Sequence, residues 1–280
     1  MKENLLTFQD IKPGVQLVTL NIKVLYSDQK QRGEFANKFQ DFLGSDKAHP
    51  KIFKLTDYIV AYRTECIIPE KRDSRPPLLL IFGNPASRSV YSEMFFSFEG
   101  DGREHRFWKT LRKTGILSFS PTTESEQMLN MGKLNQLKKK QLYALCYDSP
   151  FRIGLAVYYS MPSPGNELPW AGVAGLYRLF GRKALLKIAE CEKARITRVI
   201  RDFVSADGAV ITFQKDAYSA IKTSASPDYS LAEVKAGQLI GSCQSNPNIR
   251  LFCCPPTRLL HGQKSIVLLE DFVKQILRGS

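Results

Sequence analysis

Four short apolar runs, each separated from the next by a stretch with helical character, constrain the fold of this chain most strongly. Brief runs rich in β-branched and aromatic residues, bounded by Gly, Pro or polar residues, are typical of buried strands. They cover residues 78–82, 153–159, 209–213 and 249–253. Strands that alternate with helices favour a mainly parallel sheet with helices on both faces. We therefore predict an α/β protein, a three-layer α/β/α sandwich around a mainly parallel, four-stranded central sheet.

The segments that follow these runs are the first place to look for a binding site. Ligands of such sheets bind outside the carboxyl ends of the strands. The first run stops at Gly-Asn-Pro (83–85), which predicts a turn with exposed backbone amides and a polar side chain. The last run leads into a proline-rich segment at 254–262. We expect these segments to meet at one edge of the sheet.

Chain length and charge limit the class of protein and its partners. At 280 residues and 43% apolar composition, the chain can bury the core of one large domain or two small ones. Its 40 basic and 27 acidic residues give a net charge of +13, which favours a polyanionic partner. An excess of surface lysines in a soluble protein gives the same number, so the charge supports nucleic-acid binding without requiring it.

Cysteine and histidine spacing predicts no metal and no cofactor. The six cysteines contain no Cys-x-x-Cys pair, and His49, His105 and His261 have no neighbouring ligand residues. The N-terminus lacks the apolar core of a signal peptide, and no stretch approaches the roughly 20 apolar residues of a membrane span. We expect reduced thiols, no membrane association and an intracellular protein, cytoplasmic in a prokaryote or nuclear in a eukaryote.

The remaining segments give a less even picture. Residues 1–75 are predicted to form an N-terminal extension packed on a core domain of 76–280, and within it 15–26 and 57–68 fit strand or helix equally well. Helical periodicity is clear over 182–203. The predicted helix carries arginines at three-residue spacing, at Arg195, Arg198 and Arg201. This pattern fits a phosphate-binding stripe or, more commonly, a solvated helix face.

The region 78–115 carries a more specific pattern. An apolar strand is followed by Gly-Asn-Pro at 83–85, by an aromatic cluster, and by Arg-Phe-Trp-Lys at 106–109 within a predicted helix. This order resembles the uracil-DNA glycosylase superfamily, and it is closest to the mismatch-specific uracil/thymine and single-strand-selective branches. The resemblance extends in element order to the C-terminus, but it is specific only over these first forty residues.

The resemblance implies roles for individual side chains. Asn84 would position the hydrolytic water beside Gly83, Phe96 would stack on the extruded base, and Tyr91 and Tyr158 would contribute to base binding. The DNA-binding residues that it implies are Ser87, Ser163, Thr257, Arg258, Leu259, Leu260 and His261. Each assignment has a structural alternative: an ordinary Asn-Pro turn, phenylalanines that fill the core, and a proline-rich loop whose leucines turn inward.

The resemblance implies an enzyme, a monofunctional DNA glycosylase. It would act as a monomer on DNA and hydrolyse the N-glycosidic bond of uracil or a related damaged or deaminated base, in base excision repair. No lysine is placed for a Schiff base, so we expect hydrolysis without strand cleavage.

Two departures from the family pattern motivate an alternative. Cys254 stands where the family has His or Asn, and Ala156 lies in a strand where many members carry Asn. A catalytically degenerate member that binds nucleic acid or a protein is therefore the second hypothesis. A nucleotide-binding α/β enzyme is a third, although the sequence contains neither a P-loop nor a Gly-x-Gly-x-x-Gly fingerprint.

Overall fold

The structure, a computed structural model, describes five stretches of the chain: residues 4–97, 104–120, 130–165, 168–260 and 262–279. The chain forms two compact units that alternate along the sequence, whereas the sequence suggested a single boundary near residue 75. Unit 1 consists of Met1–Cys66, Asn84–Phe95 and Tyr159–Arg195. Unit 2 consists of Ile67–Gly83, Phe96–Tyr158 and Ile196–Ser280.

Strands and helices are numbered in chain order over the described residues. The strands are β1 (Leu6–Lys12), β2 (Val15–Asn21), β3 (Phe53–Thr56), β4 (Ile59–Glu65), β5 (Pro77–Phe82), β6 (Ser118–Phe119), β7 (Tyr147–Asp148), β8 (Arg152–Val157), β9 (Ala209–Thr212), β10 (Ile240–Cys243) and β11 (Asn246–Cys253). The helices are α1 (Ile22–Leu25), α2 (Gln29–Gly44), α3 (His49–Ile52), α4 (Ser87–Ser92), α5 (Arg106–Lys113), α6 (Met131–Ala144), α7 (Gly172–Phe180), α8 (Arg182–Phe203), α9 (Lys215–Ile221), α10 (Leu231–Ala236) and α11 (Gln263–Arg278).

Unit 1 is built on an antiparallel sheet with strand order β1-β2-β4-β3. The two ambiguous segments therefore supply strands β2 and β4, and only the end of the first forms a helical turn, α1. Asn21 starts that turn because its side chain accepts hydrogen bonds from the backbone N–H groups of Lys23 and Val24. The aromatic face of α2 packs on the sheet, where the Phe39 and Phe42 rings lie 5.9 and 5.6 Å from Phe53.

Unit 2 contains a five-stranded, mostly parallel sheet flanked by helices, with strand order β10-β11-β9-β5-β8. The four predicted strands are confirmed, and their mutual pairings are all parallel. Every residue of β5 and β8 is buried, which explains why residues 78–82 and 153–157 are apolar without alternation. The fifth strand, β10, pairs antiparallel at one edge. Sequence analysis missed it because Gly241 and Ser242 interrupt its apolar pattern.

The strand order gives this sheet a switch point between β5 and β9. The chain passes from β5 to β8 on one side, and then returns to β9 and β11 on the other side. Sheets of this type bind ligands where the strand order reverses, outside the carboxyl ends of the two central strands. Phe82 and Phe213 stack there with ring centroids 5.1 Å apart. Gly83, the next residue after β5, lies at this position in unit 2.

Helix α8 has the bounds that the periodicity predicts, but one residue of its basic stripe is wrongly assigned. Arg195 is only 8% exposed, and its Nε donates to Oε2 of Glu192 across 2.8 Å. Neither a phosphate stripe nor a solvated face describes this residue, since a buried carboxylate is its partner. None of the helices in the described stretches is both long and apolar enough to cross a lipid bilayer.

Candidate functional site

Asn84, in unit 1, has a side-chain amide whose orientation is fixed by its neighbours. Its Nδ2 donates to Ser163 Oγ at 2.8 Å and to the Met161 carbonyl at 3.3 Å. A carbonyl can only accept a hydrogen bond, so the NH2 group must face Met161 and the oxygen must face away. No described residue donates to that oxygen, and Asn84 is half-buried. Asn84 therefore has a fixed nitrogen and an oxygen open to a water molecule.

The segment that follows Asn84 is joined to the segment around Ser163 by backbone hydrogen bonds. Ser163 N–H donates to the Pro85 carbonyl at 3.1 Å, and Ser87 N–H donates to the Ser163 carbonyl at 2.9 Å. Ala86 and Ser163 thereby form a short parallel bridge. Ser163 is buried, so the structure brings this residue to Asn84 as an internal partner, and its contact with DNA stays a prediction.

Ser87 is tied to His49, a residue that sequence analysis treated only as a histidine without partners. His49 Nδ1 lies 2.7 Å from the Phe42 carbonyl and Nε2 lies 2.7 Å from Ser87 Oγ. The nitrogen facing the carbonyl must carry the proton, so in the neutral ring Nε2 accepts from the serine hydroxyl. Both side chains are fully buried, and this burial lowers the pKa of His49. The pair anchors the start of α4, and a contact of Ser87 with DNA stays a prediction.

Tyr91 lies one turn further along α4 and is 46% exposed. Lys51 Nζ is 3.2 Å from the Tyr91 hydroxyl and 4.6 Å from the centre of its ring. Arg63 donates in turn to the Lys51 carbonyl at 2.9 Å. This face of unit 1 thus offers an aromatic ring and the Lys51 ammonium to solvent, whereas Arg63 is half-buried and lies 3.6 Å from the Glu93 carboxylate. A base-binding role for Tyr91 stays a prediction.

A buried polar network holds the segment that receives the Asn84 amide. Both the backbone N–H and the hydroxyl of Ser160 donate to Oε1 of Glu192, the N–H at 2.6 Å. The Tyr62 hydroxyl lies 2.8 Å from Ser160 Oγ, and Arg195 pairs with the second oxygen of Glu192. Ser160 and Glu192 are fully buried, and burial raises the pKa of Tyr62 so that its phenol remains a donor.

In unit 2, Phe96 is held in a left-handed conformation (φ 46°) by an aromatic cluster. Its ring lies 4.2 Å from Phe107, and its carbonyl accepts from Trp108 Nε1 at 2.9 Å. Phe107 and Trp108 are buried, so the aromatic residues of the Arg-Phe-Trp-Lys segment pack helix α5, while Phe96 stays partly exposed. Tyr158 is buried, and its N–H extends the pairing of β8 with β5 by donating to the Phe82 carbonyl at 2.8 Å.

The two candidate leucines in the segment after β11 differ in their exposure to solvent. A 3₁₀ turn covers Thr257–Leu259; Leu259 is 39% exposed, whereas Leu260 is 1% exposed. Arg258 is exposed, and its carbonyl accepts from Arg106 Nη2 at 3.2 Å. One leucine therefore faces solvent and the other packs inward, and the predicted His261 lies outside the described residues.

Cys254 is a core residue of unit 2, only 1% exposed. Its N–H donates to the Thr212 carbonyl at 2.8 Å, which continues the pairing of β11 with β9. Burial raises the pKa of its thiol well above the usual range, so the side chain remains protonated. Within the described ranges no three His, Cys, Asp or Glu side chains are grouped closely enough to hold a metal ion.

In comparisons with known proteins, no family model and no curated protein matches this chain. The three residues that support the Asn84 segment, His49, Ser160 and Glu192, were missed by sequence analysis. Each forms a hydrogen bond with a partner at least 32 positions away in the sequence, and no local sequence motif predicts such a pair. The only available signal was the presence of polar side chains, His49 and Glu192, close to apolar residues.

Proposed function

We propose that this protein is a monofunctional DNA glycosylase of the uracil-DNA glycosylase type, which hydrolyses the N-glycosidic bond of a damaged or deaminated base. The single observation that carries the proposal is the geometry of Asn84. Its amide nitrogen is fixed by Ser163 and Met161, and its oxygen is open to accept a hydrogen bond from water.

This geometry suits hydrolysis of an N-glycosidic bond. As the base departs, positive charge develops on the sugar, and the attacking water then needs orientation more than deprotonation. A carboxamide oxygen accepts one hydrogen bond from that water, and the water oxygen then has a lone pair directed towards the sugar. A fixed amide also avoids the entropy loss of ordering the side chain during the reaction.

Other features of the chain are consistent with DNA as the substrate. The net charge of +13 favours a polyanion. Phe96 is partly exposed and rigidly supported, as a stacking residue for an extruded base would need to be. Arg258 and Leu259 are exposed and available for DNA contacts. An enzyme of this kind would act as a monomer where DNA is found, in the cytoplasm of a prokaryote or the nucleus of a eukaryote.

The test is base release from synthetic oligonucleotides that carry uracil, mismatched thymine, hypoxanthine or xanthine, in single- and double-stranded form. We expect abasic product from at least one substrate, and loss of that product with Asn84→Ala. The matched control is Asn37→Ala, which removes an exposed asparagine from α2 in the same unit. No product from any substrate at high protein concentration would refute the activity, and product that persists with Asn84→Ala would refute the mechanism.

The alternative, a binding module without catalysis, is favoured by the burial of Cys254 and Tyr158. Cys254 follows β11 and Tyr158 follows β8, at positions where a working site would place groups that read or stabilise the base. Tight binding of the same oligonucleotides with no base release, unchanged by Asn84→Ala, would support this alternative over the enzyme.

A further inference from the structure

We propose that Glu192 is a positioning residue for Asn84, acting through Ser160. The inference rests on the proposed role of Asn84 in orienting water, and it adds a residue for which sequence analysis gave no function. Glu192 lies on α8, and it binds the segment whose residues accept the Asn84 amide.

The first link is between Asn84 and the segment 160–163. Two of the acceptors of Asn84 Nδ2 belong to it, Ser163 Oγ and the Met161 carbonyl. The direction of the amide plane, and with it the direction of the open oxygen, therefore follows the position of this segment. A shift of the segment by a fraction of an ångström turns the oxygen away from a fixed water position.

The second link is between this segment and Glu192. Ser160 immediately precedes Met161, and its N–H and hydroxyl both donate to one oxygen of Glu192. Two donors from one residue to one acceptor fix the plane of the peptide as well as the rotamer of the serine. The Tyr62 hydroxyl, 2.8 Å from Ser160 Oγ, completes the bonding of that oxygen.

The energetics distinguish this arrangement from ordinary packing. Glu192 is fully buried, and taking a carboxylate out of water costs several kcal/mol even when a cation such as Arg195 accompanies it. Apolar side chains would fill the same space more favourably, but apolar contacts are not directional and do not fix the orientation of the peptide groups in a loop. Charge-assisted hydrogen bonds are short and directional, so they can hold the segment 160–163 in the one position that orients the Asn84 amide.

The position of Asn84 can be measured without any activity, by NMR of its side-chain NH2 group, assigned through its disappearance in Asn84→Ala. In Glu192→Ala we expect the Asn84 NH2 signals to shift and their exchange with solvent to increase about five-fold, the factor that corresponds to the loss of one hydrogen bond. Glu192→Gln retains an acceptor for Ser160, so its effect should be smaller. Glu190→Gln, at an exposed position of the same helix, should leave the signals in place.

Kinetics on a cleaved substrate add a second readout. We expect kcat to decrease in the order wild type, Glu192→Gln, Glu192→Ala, with KM unchanged, because substrate binding does not depend on how the water is oriented. A purely structural role would lower the stability of the variants and leave kcat of the folded fraction unchanged.

The outcomes separate this inference from the proposed function. Unmoved Asn84 signals in folded Glu192→Ala overturn the inference, whatever the activity. Moved signals without base release from any protein, wild type included, sustain the inference and refute the proposed function. Should Glu192→Ala fail to fold, Glu192→Gln weakens both hydrogen bonds from Ser160, and unchanged Asn84 signals in that variant overturn the inference equally.

Discussion

The Asn84 side-chain amide donates a 2.8 Å hydrogen bond to the hydroxyl of Ser163, a residue 79 positions further along the chain. Because Ser163 also exchanges backbone hydrogen bonds with Pro85 and Ser87, it holds both the side chain and the backbone of the turn. The orientation of Asn84 is thus a property of two segments together, and substitutions in either segment should change it.

The variant Ser163→Ala removes the shorter of the hydrogen bonds to the Asn84 amide and leaves the backbone bridge intact. One lost hydrogen bond is worth about 1 kcal/mol, so we expect base release to slow by roughly five-fold under single-turnover conditions. The free energy of unfolding should decrease by a similar amount, about 1 kcal/mol, because Ser163 is buried. Ser205→Ala, at an exposed turn, is the control. An unchanged single-turnover rate would show that Met161 alone orients the amide.

Stability should depend on pH through His49. Burial lowers the pKa of His49 in the folded protein, so as the pH falls the unfolded chain takes up the proton first. The stabilisation is complete above the unfolded pKa of about 6.5 and is lost as the pH falls from there through the folded pKa. Urea unfolding of the wild type and of His49→Gln should therefore differ most above about pH 6.5 and converge at lower pH. A difference that is constant with pH would mean that folding leaves the pKa of His49 unchanged.

The sequence predicted the parallel sheet of unit 2 well, because strands buried on both faces must be apolar throughout. Residues 78–82 and 153–157 are of this kind. The antiparallel sheet of unit 1 has half-buried strands, such as Val15–Asn21, in which buried and partly exposed positions follow no strict alternation. Its pattern fits strand and helix equally, and only the pairing with neighbouring strands decides between them.

The candidate site was predicted only as far as local sequence determines it. The turn at Asn84 follows from Gly and Pro beside it, but its acceptors, Met161 and Ser163, lie 77 and 79 positions away. Arg195 was assigned to a surface stripe from spacing alone. The deciding fact was that Glu192, three residues earlier, shares its buried face, and spacing does not reveal which face of a helix is buried.

Phe96 offers a way to separate stacking from stability. Removing the ring in Phe96→Ala should weaken binding of a base-extruded substrate by about 1–3 kcal/mol, the usual contribution of one stacked base. Phe96→Gly loses the same ring, but glycine adopts the left-handed backbone conformation without strain. The free energy of unfolding of Phe96→Gly should therefore be about 1 kcal/mol higher than that of Phe96→Ala. Binding by fluorescence anisotropy and unfolding in urea measure the two effects. Equal binding by wild type and Phe96→Ala would exclude Phe96 as the stacking residue.

The effects of substituting Glu192 and Arg195 on the free energy of unfolding should depend strongly on each other, because the two side chains form a buried ion pair. Arg195→Met leaves the carboxylate of Glu192 buried without its cation, so the free energy of unfolding should fall by about 3–5 kcal/mol. Adding Glu192→Gln removes the uncompensated charge and retains an acceptor for Ser160, so the double variant should be more stable than Arg195→Met alone. Arg198→Met, at an exposed position of the same helix, should change stability by less than about 0.5 kcal/mol. Urea unfolding gives all three values, and a double variant that is less stable than Arg195→Met would mean that the charge of Glu192 is compensated by another group.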